Sequence, residues 1–267
     1  MRHFWASTLW IVSALVLCGC GGGRGTTSGS APLPARLFFD TTGNWQFTTA
    51  STAGAVSLSI AGSIDQSVTE VSAALHIDGS NCFDQLTTVR LSGTLAGNKI
   101  SLTSTSVSGQ VINFAGDITD TAFTGTFTIN SGCADGEHGN VTGAKIPSIT
   151  SQLSGTFTAS GQQTFAATAQ ATQGNASSEG TFGITGTVTF GPSCFSSGTI
   201  TSGTFPSGSF IMGTSVSLEI ETDNGTVVFH GTANQTTGEI RGDYMVLNGT
   251  CSQTGTAVLT ATGQWDY

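Results

Sequence analysis

Glu70-Val71-Ser72-Ala73-Ala74-Leu75-His76-Ile77-Asp78 is the stretch on which the fold turns. Val71, Ala73, Leu75 and Ile77 share one side of an extended chain; Glu70, Ser72, Ala74, His76 and Asp78 share the other. A period of two predicts a strand with one face buried. The same alternation places Phe123, Gly125, Phe127 and Ile129 against Ala122, Thr124, Thr126 and Thr128. It returns in Ile240, Gly242, Tyr244 and Val246. Turn signals such as Ala96-Gly97-Asn98, Ser108-Gly109-Gln110 and Asp223-Asn224-Gly225 separate the runs. Beyond the N-terminal segment no stretch carries a helical period, so the fold class is all-β.

The pattern occurs twice. Gly43-Asn44-Trp45-Gln46-Phe47 aligns with Gly155-Thr156-Phe157-Thr158-Ala159, and from each first glycine to Cys82 or Cys194 is 39 positions. Both cysteines sit in Gly-x-x-Cys-Phe, and the second cysteines, Cys133 and Cys251, follow 51 and 57 residues later. A tandem repeat of one β unit is the reading. Eight strands are expected in each copy. In the first they lie near 44–50, 55–63, 69–78, 86–96, 99–107, 110–119, 122–130 and 138–146. In the second they lie near 153–159, 163–173, 179–190, 198–205, 211–222, 226–234, 238–247 and 255–265. The expected organisation is a signal segment over 1–19, a tether over 20–36, and β domains over 37–147 and 148–267.

Glycines fall in phase with the apolar face at Gly93, Gly125, Gly186 and Gly242. Inward glycine lets a strand coil sharply, which favours two antiparallel eight-stranded meander barrels over the alternative, β-sandwiches. In such a meander the loops after the third and seventh strands open at one end. Disulfides Cys82–Cys133 and Cys194–Cys251 would therefore each staple one barrel mouth. Closing loops of this size stabilises each domain by roughly 4 kcal/mol in the chain-entropy model.

Charged residues are 9% of the 267, with 7 Lys and Arg against 16 Asp and Glu, a net charge of −9. A nucleic-acid partner needs clustered cations, which this chain lacks. Residues 1–17 have the layout of an export signal, with Arg2 and His3 before the apolar stretch Leu9 to Leu17. The stretch ends in Leu17-Cys18-Gly19-Cys20, which resembles the lipobox of bacterial lipoproteins. Only Cys20 fits the modified position, because the residue before Cys18 is Leu17 rather than a small one. The resemblance implies lipid attachment at Cys20, cleavage before it, and acyl chains such as palmitate as a membrane anchor. That covalent lipid is the one non-protein group expected, with no cofactor. Gly21 to Pro34, a Gly/Ser/Thr/Pro tract, reads as a flexible tether with a reach of roughly 20 Å. Gly21 rather than Asp after Cys20 favours, by the same resemblance, the outer membrane of a bacterial cell envelope.

A transmembrane barrel needs an apolar outer band, and here the face opposite the apolar one is Ser and Thr, so the domains are expected to face water. Gly43-Asn44-Trp45 resembles the Gly-x-Trp that opens lipocalins and avidins, which are ligand-binding β-meanders; the second copy has Phe157 in place of Trp. Trp45 is expected to plug a barrel base, as is Trp265. His76 and His230 lie out of phase with the core and are expected to be exposed. Asp135, Glu137 and His138 crowd a loop beside Cys133, near Asp117 and Asp120; carboxylate-rich loops suit Ca²⁺, but the ligand count favours a solvated turn and no metal site. Glu219, Glu221 and Asp223 form an acidic row on one strand face.

No nucleophile with a positioned base, phosphate loop or acid pair in an apolar pocket is legible, so no catalytic residue and no enzyme is expected. The functional expectation is a membrane-anchored envelope lipoprotein binding a small apolar ligand or a glycan. The alternative is a structural or adhesive surface module, or an accessory subunit of an envelope complex contacting another envelope protein.

Overall fold

Inward apolar side chains along every strand close two barrels, each around its own core. The computed structural model describes residues 40–52 and 57–262. Cys20, the signal and tether segments, and Trp265 lie outside the described residues. Those described contain no helix.

The first barrel is a plain meander of β1 (Gly43–Ser51), β2 (Ser59–Ser67), β3 (Glu70–Asp78), β4 (Val89–Ala96), β5 (Lys99–Ser104), β6 (Val111–Ile118), β7 (Ala122–Asn130) and β8 (His138–Ile146). All neighbours are antiparallel, and β8 pairs back onto β1, with Phe47 opposite Gly143. The second comprises β9 (Ser151–Ala159), β10 (Thr164–Ala176), β11 (Phe182–Phe190), β12 (Ser197–Ile200), β13 (Phe210–Met212), β14 (Ser215–Thr222), β15 (Gly225–Ala233), β16 (Glu239–Leu247) and β17 (Thr254–Thr262). It closes through β9–β17 and β10–β11.

The second barrel departs from the expected strand boundaries at its fourth stave. β12 and β13 both pair with β11 and with β14, so together they fill one position in the wall. The chain leaves the wall after Ile200 and rejoins it at Phe210. The expected strands at 198–205 and 211–222 missed this for two reasons. Pro206 cannot donate to a ladder, and Gly213, at φ +55°, turns the chain between β13 and β14. From Cys82 to Gly97 is 15 positions and from Cys194 to Gly213 is 19, so the excursion holds four of the six residues by which the span between the second barrel's cysteines exceeds that of the first.

The in-phase glycines lie where adjacent walls come closest. A Cβ on Gly93 would sit 1.7 Å from the Ser101 carbonyl oxygen, and one on Gly242 would sit 2.0 Å from that of His230. Both interiors are filled by rings. Trp45, wholly buried, stacks on Phe47 at 5.7 Å, and Phe47 meets Phe114 and Phe123 at 6.2 and 5.8 Å. Trp45 donates its indole N–H to the Thr41 carbonyl at 2.7 Å, at the end of the barrel away from the disulfide, the base expected for it. In the second barrel Phe157 contacts Phe165, Phe190 and Tyr244 at 5.5, 5.7 and 5.0 Å.

Each mouth is clasped by its disulfide, Cys82–Cys133 and Cys194–Cys251, with Cα separations of 5.5 and 6.1 Å. A side-chain amide ties the same two loops. Gln110 donates to the Cys82 carbonyl at 2.8 Å and accepts from the Ala134 amide at 2.9 Å. Asn224 does so in the second barrel, donating to the Cys194 carbonyl and accepting from the Thr250 hydroxyl.

Tyr244 is buried with its hydroxyl unpartnered among the described residues, and burial pushes its pKa up. An unpaired buried hydroxyl costs roughly 1–3 kcal/mol. Tyr244→Phe keeps the ring and removes that cost, so urea unfolding should show a gain of about 1 kcal/mol. A loss would mean that the hydroxyl has a partner in solution.

Candidate functional site

Aromatic and aliphatic side chains occupy both interiors, leaving a cavity of only about 100 Å³ at the mouth of the first barrel, between Leu58, Phe83, Phe127 and Ile129 beside the Cys82–Cys133 disulfide; the larger cavities lie outside the barrel walls. The described residues form one compact unit in which the second barrel grips the outer face of the first. That face is built of cross-strand rows. Gln46, Ala61 and His76 form one row; Asn44, Ser63, Ala74 and Arg90 form the next; Asp65, Ser72 and Ser92 form a third. All are outward, period-two positions whose neighbours in a row stand about 5 Å apart.

Two turns of the second barrel reach this wall. The β13–β14 turn lays Gly213 against Asn44, whose side chain donates to the Gly213 carbonyl at 2.9 Å and accepts from its amide at 2.7 Å. The Thr214 amide donates to the Gln46 side-chain oxygen at 3.3 Å. A Cβ on Gly213 would fall 2.2 Å from that oxygen and 2.7 Å from the Ala61 methyl. The second contact is the β10–β11 turn, residues 177–181. Gly180, at φ +78°, lies so close that a Cβ would meet the Ala74 carbonyl at 2.0 Å. Beside it the His76 ring nitrogens face the Gln85 carbonyl at 3.1 Å and the Glu179 carbonyl at 2.9 Å. The Glu179 carboxylate accepts from the Thr88 hydroxyl and lies 3.6 Å from Arg90. The Phe205 ring, on the excursion between β12 and β13, packs on the His76 ring at 4.9 Å.

His76 is therefore not the exposed residue expected from its phase. Its phase does point it out of its own barrel, but the second barrel covers it and leaves it 5% exposed. His230, also out of phase, is exposed. The acidic candidates serve local turns and cross-strand pairs. Asp135 accepts from the Ser131 amide, Glu137 from the Ser51 hydroxyl and Asp120 from the Asp40 amide. Asp117 pairs with Lys99 at 2.6 Å, and the His138 ring bonds the Gly136 carbonyl. Glu221 accepts from Thr226 and Asp223 from Ser196. No group of three metal-ligating side chains converges among the described residues.

Between the two turns and the end of β10 a cleft of about 600 Å³ opens over the second and third rows. Its walls are Ser63, Asp65, Ser72 and Arg90 on one side and Gln173 to Ser178 with Phe182 on the other. The latter wall exists because β10 runs to Ala176, five residues past Ala171, its last partner on β9. The size suits a small ligand. Nothing in the sequence pattern marked this site, since its residues look like ordinary outward polar positions. The length of the 163–173 run and the glycines of the two turns were the available signals. Searches against protein families, curated proteins and solved structures find no match to this chain.

Two consequences follow for the gripping contacts. Gly213→Val places a branched side chain into Gln46 and Ala61 and should uncouple the barrels, turning one calorimetric unfolding transition into two; a single unchanged transition would refute the grip. The second concerns Glu179, held below its ordinary value of 4.5 chiefly by the Thr88 hydroxyl bond, with burial opposing and Ser178, Arg90 and His76 assisting. A lowered carboxyl pKa gives stabilisation that is complete above the ordinary value and lost as pH falls through the lowered one. Hydrogen-exchange protection of residues 177–181 should fall on acidification below about pH 4.5, and Glu179→Gln should make it insensitive to pH.

Proposed function

We propose that this chain is a lipid-anchored protein of the bacterial envelope that works as a non-enzymatic binding module, with its ligand site in the cleft between the barrels. The observation that carries the reading is the cleft itself, set beside interiors packed with Trp45, Phe47, Phe157 and Phe165. A barrel filled in this way has its aromatic side chains where a lipocalin-like ligand would sit, so binding moves outside. The cleft wall mixes hydroxyl, amide, carboxylate and guanidinium groups with apolar surface from Ala74, Ala176 and Phe182, which favours a glycan-like ligand over a wholly apolar one.

The anchor rests on Leu17-Cys18-Gly19-Cys20, with lipid on Cys20 and the outer membrane as its place. The non-enzymatic part is supported by His76, the described histidine at the interface, whose ring nitrogens face two carbonyl oxygens. The hydroxyl beside that ring, Thr88 at 3.4 Å, donates to the Glu179 carboxylate, so it is not presented to His76 as a nucleophile to its base. A second reading, accessory subunit of an envelope complex, is favoured by Met245 and Leu247. They are 45% and 42% exposed on β16, near outward Asp243, Glu219 and Glu221 of the same sheet.

Cells expressing the protein and fed labelled palmitate should incorporate label into a membrane-bound form. Cys20→Ser should lose both the label and the membrane association; retention of both would remove the anchor from this reading. Native mass spectrometry of the detergent-purified protein should show a bound small molecule that is lost when the cleft is filled by Ser63→Trp.

A further inference from the structure

Ser63 lines the cleft on the side of the first barrel. It points out of that barrel and is 6% exposed, and among the described residues no side-chain hydrogen bond holds its hydroxyl, which leaves it open to the cleft. Its row neighbours are covered, Asn44 by Gly213 and Ala74 by Gly180, so Ser63 is enclosed by the grip on both sides without being touched by it. Around it stand further polar groups that make no side-chain hydrogen bond among the described residues: the Asp65 carboxylate, the Ser72 hydroxyl and the Asn175 amide. Arg90 offers its guanidinium donors with only the longer 3.6 Å contact to Glu179.

We propose that the cleft binds a neutral oligosaccharide, with Asp65, Arg90 and Asn175 taking neighbouring hydroxyls of the sugar and Ser63 bonding the ring that sits deepest. This inference rests on the cleft being the ligand site. The chemistry of the wall carries it. A carboxylate accepts twice, a carboxamide both donates and accepts, and a guanidinium donates in a planar fork, which together match pairs of adjacent hydroxyls. Ala74, Ala176 and Phe182 supply apolar surface for the C–H faces of a sugar ring. Charge argues for a neutral ligand. Arg90 is the cleft's cation and Glu179 stands against it, Asp65 adds a negative charge, and the whole chain carries −9. A uronate or phosphorylated glycan would be repelled.

The test uses the full-length, detergent-solubilised protein in calorimetric titrations with cellotriose, maltotriose and triacetylchitotriose, and with trigalacturonate as the charged comparator. At least one neutral trisaccharide should bind with Kd below about 1 mM. Asp65→Ala and Asn175→Ala should each weaken it by about tenfold or more, while Thr168→Ala, on the outer face of the second barrel, should leave it unchanged. Asp65 is exposed, so its substitution probes the site without endangering the fold. Failure of all three neutral sugars, tighter binding of trigalacturonate, or indifference of binding to both Asp65→Ala and Ser63→Trp would each overturn the proposal. The two readings separate in native mass spectrometry. A co-purifying molecule lost in Ser63→Trp, with every sugar inactive, keeps the cleft as the ligand site and rejects the saccharide.

Discussion

A closed barrel has no backbone edge to offer, because the N–H and C=O groups of each strand are already used by the strand on either side. Anything that attaches to such a wall must hold outward side chains and must come close enough to reach them. That constraint explains the unusual burial of Asn44, Ser63 and His76, polar residues on the outside of a barrel that are nonetheless at most 6% exposed. It also explains why the gripping turns are made of glycine. Asn44 mimics a strand edge for Gly213, giving one acceptor and one donor at 2.7 and 2.9 Å, and a side chain on Gly213 or Gly180 would hold the two walls apart.

The two barrels differ in construction. The first keeps the plain meander, and its β1 to β4 wall presents three polar rows. The second has broken its fourth stave and lengthened β10, and both changes face its partner. The break supplies Phe205 and the Gly213 turn, and the extension supplies the far wall of the cleft. Each interior keeps its aromatic packing and its disulfide, and under the proposed reading ligand recognition would draw on other residues, those of the cleft between the barrels.

Glu179 links the two. Its carbonyl bonds His76, its carboxylate takes the Thr88 hydroxyl, and the same carboxylate lies against Arg90 at the cleft wall. Screening by solvent limits such half-exposed ion pairs to small energies. The contact places Glu179 of the second barrel beside Arg90 of the first, at the edge of the cleft that Arg90 lines.

Much of this protein follows from sequence alone, because the signals are local. Alternation of Val71, Ala73, Leu75 and Ile77 with Ser72, Ala74 and His76 needs only the period of an extended chain to assign faces. The positions of Cys82 and Cys133, and of Cys194 and Cys251, in loops that open at one end of a meander sufficed to pair them, and inward Gly93 and Gly242 to indicate closure. Each of these is a relation among residues of one barrel. The tertiary structure alone decided what happens between the barrels. Facing outward says where His76 and Ser63 point, not what stands opposite, and the opposing groups, Glu179 and Asn175, are more than a hundred residues away. A wall that water covers and one that another barrel covers carry the same alternation, so only the docking of the two modules could turn an ordinary polar surface into an interface and a cleft.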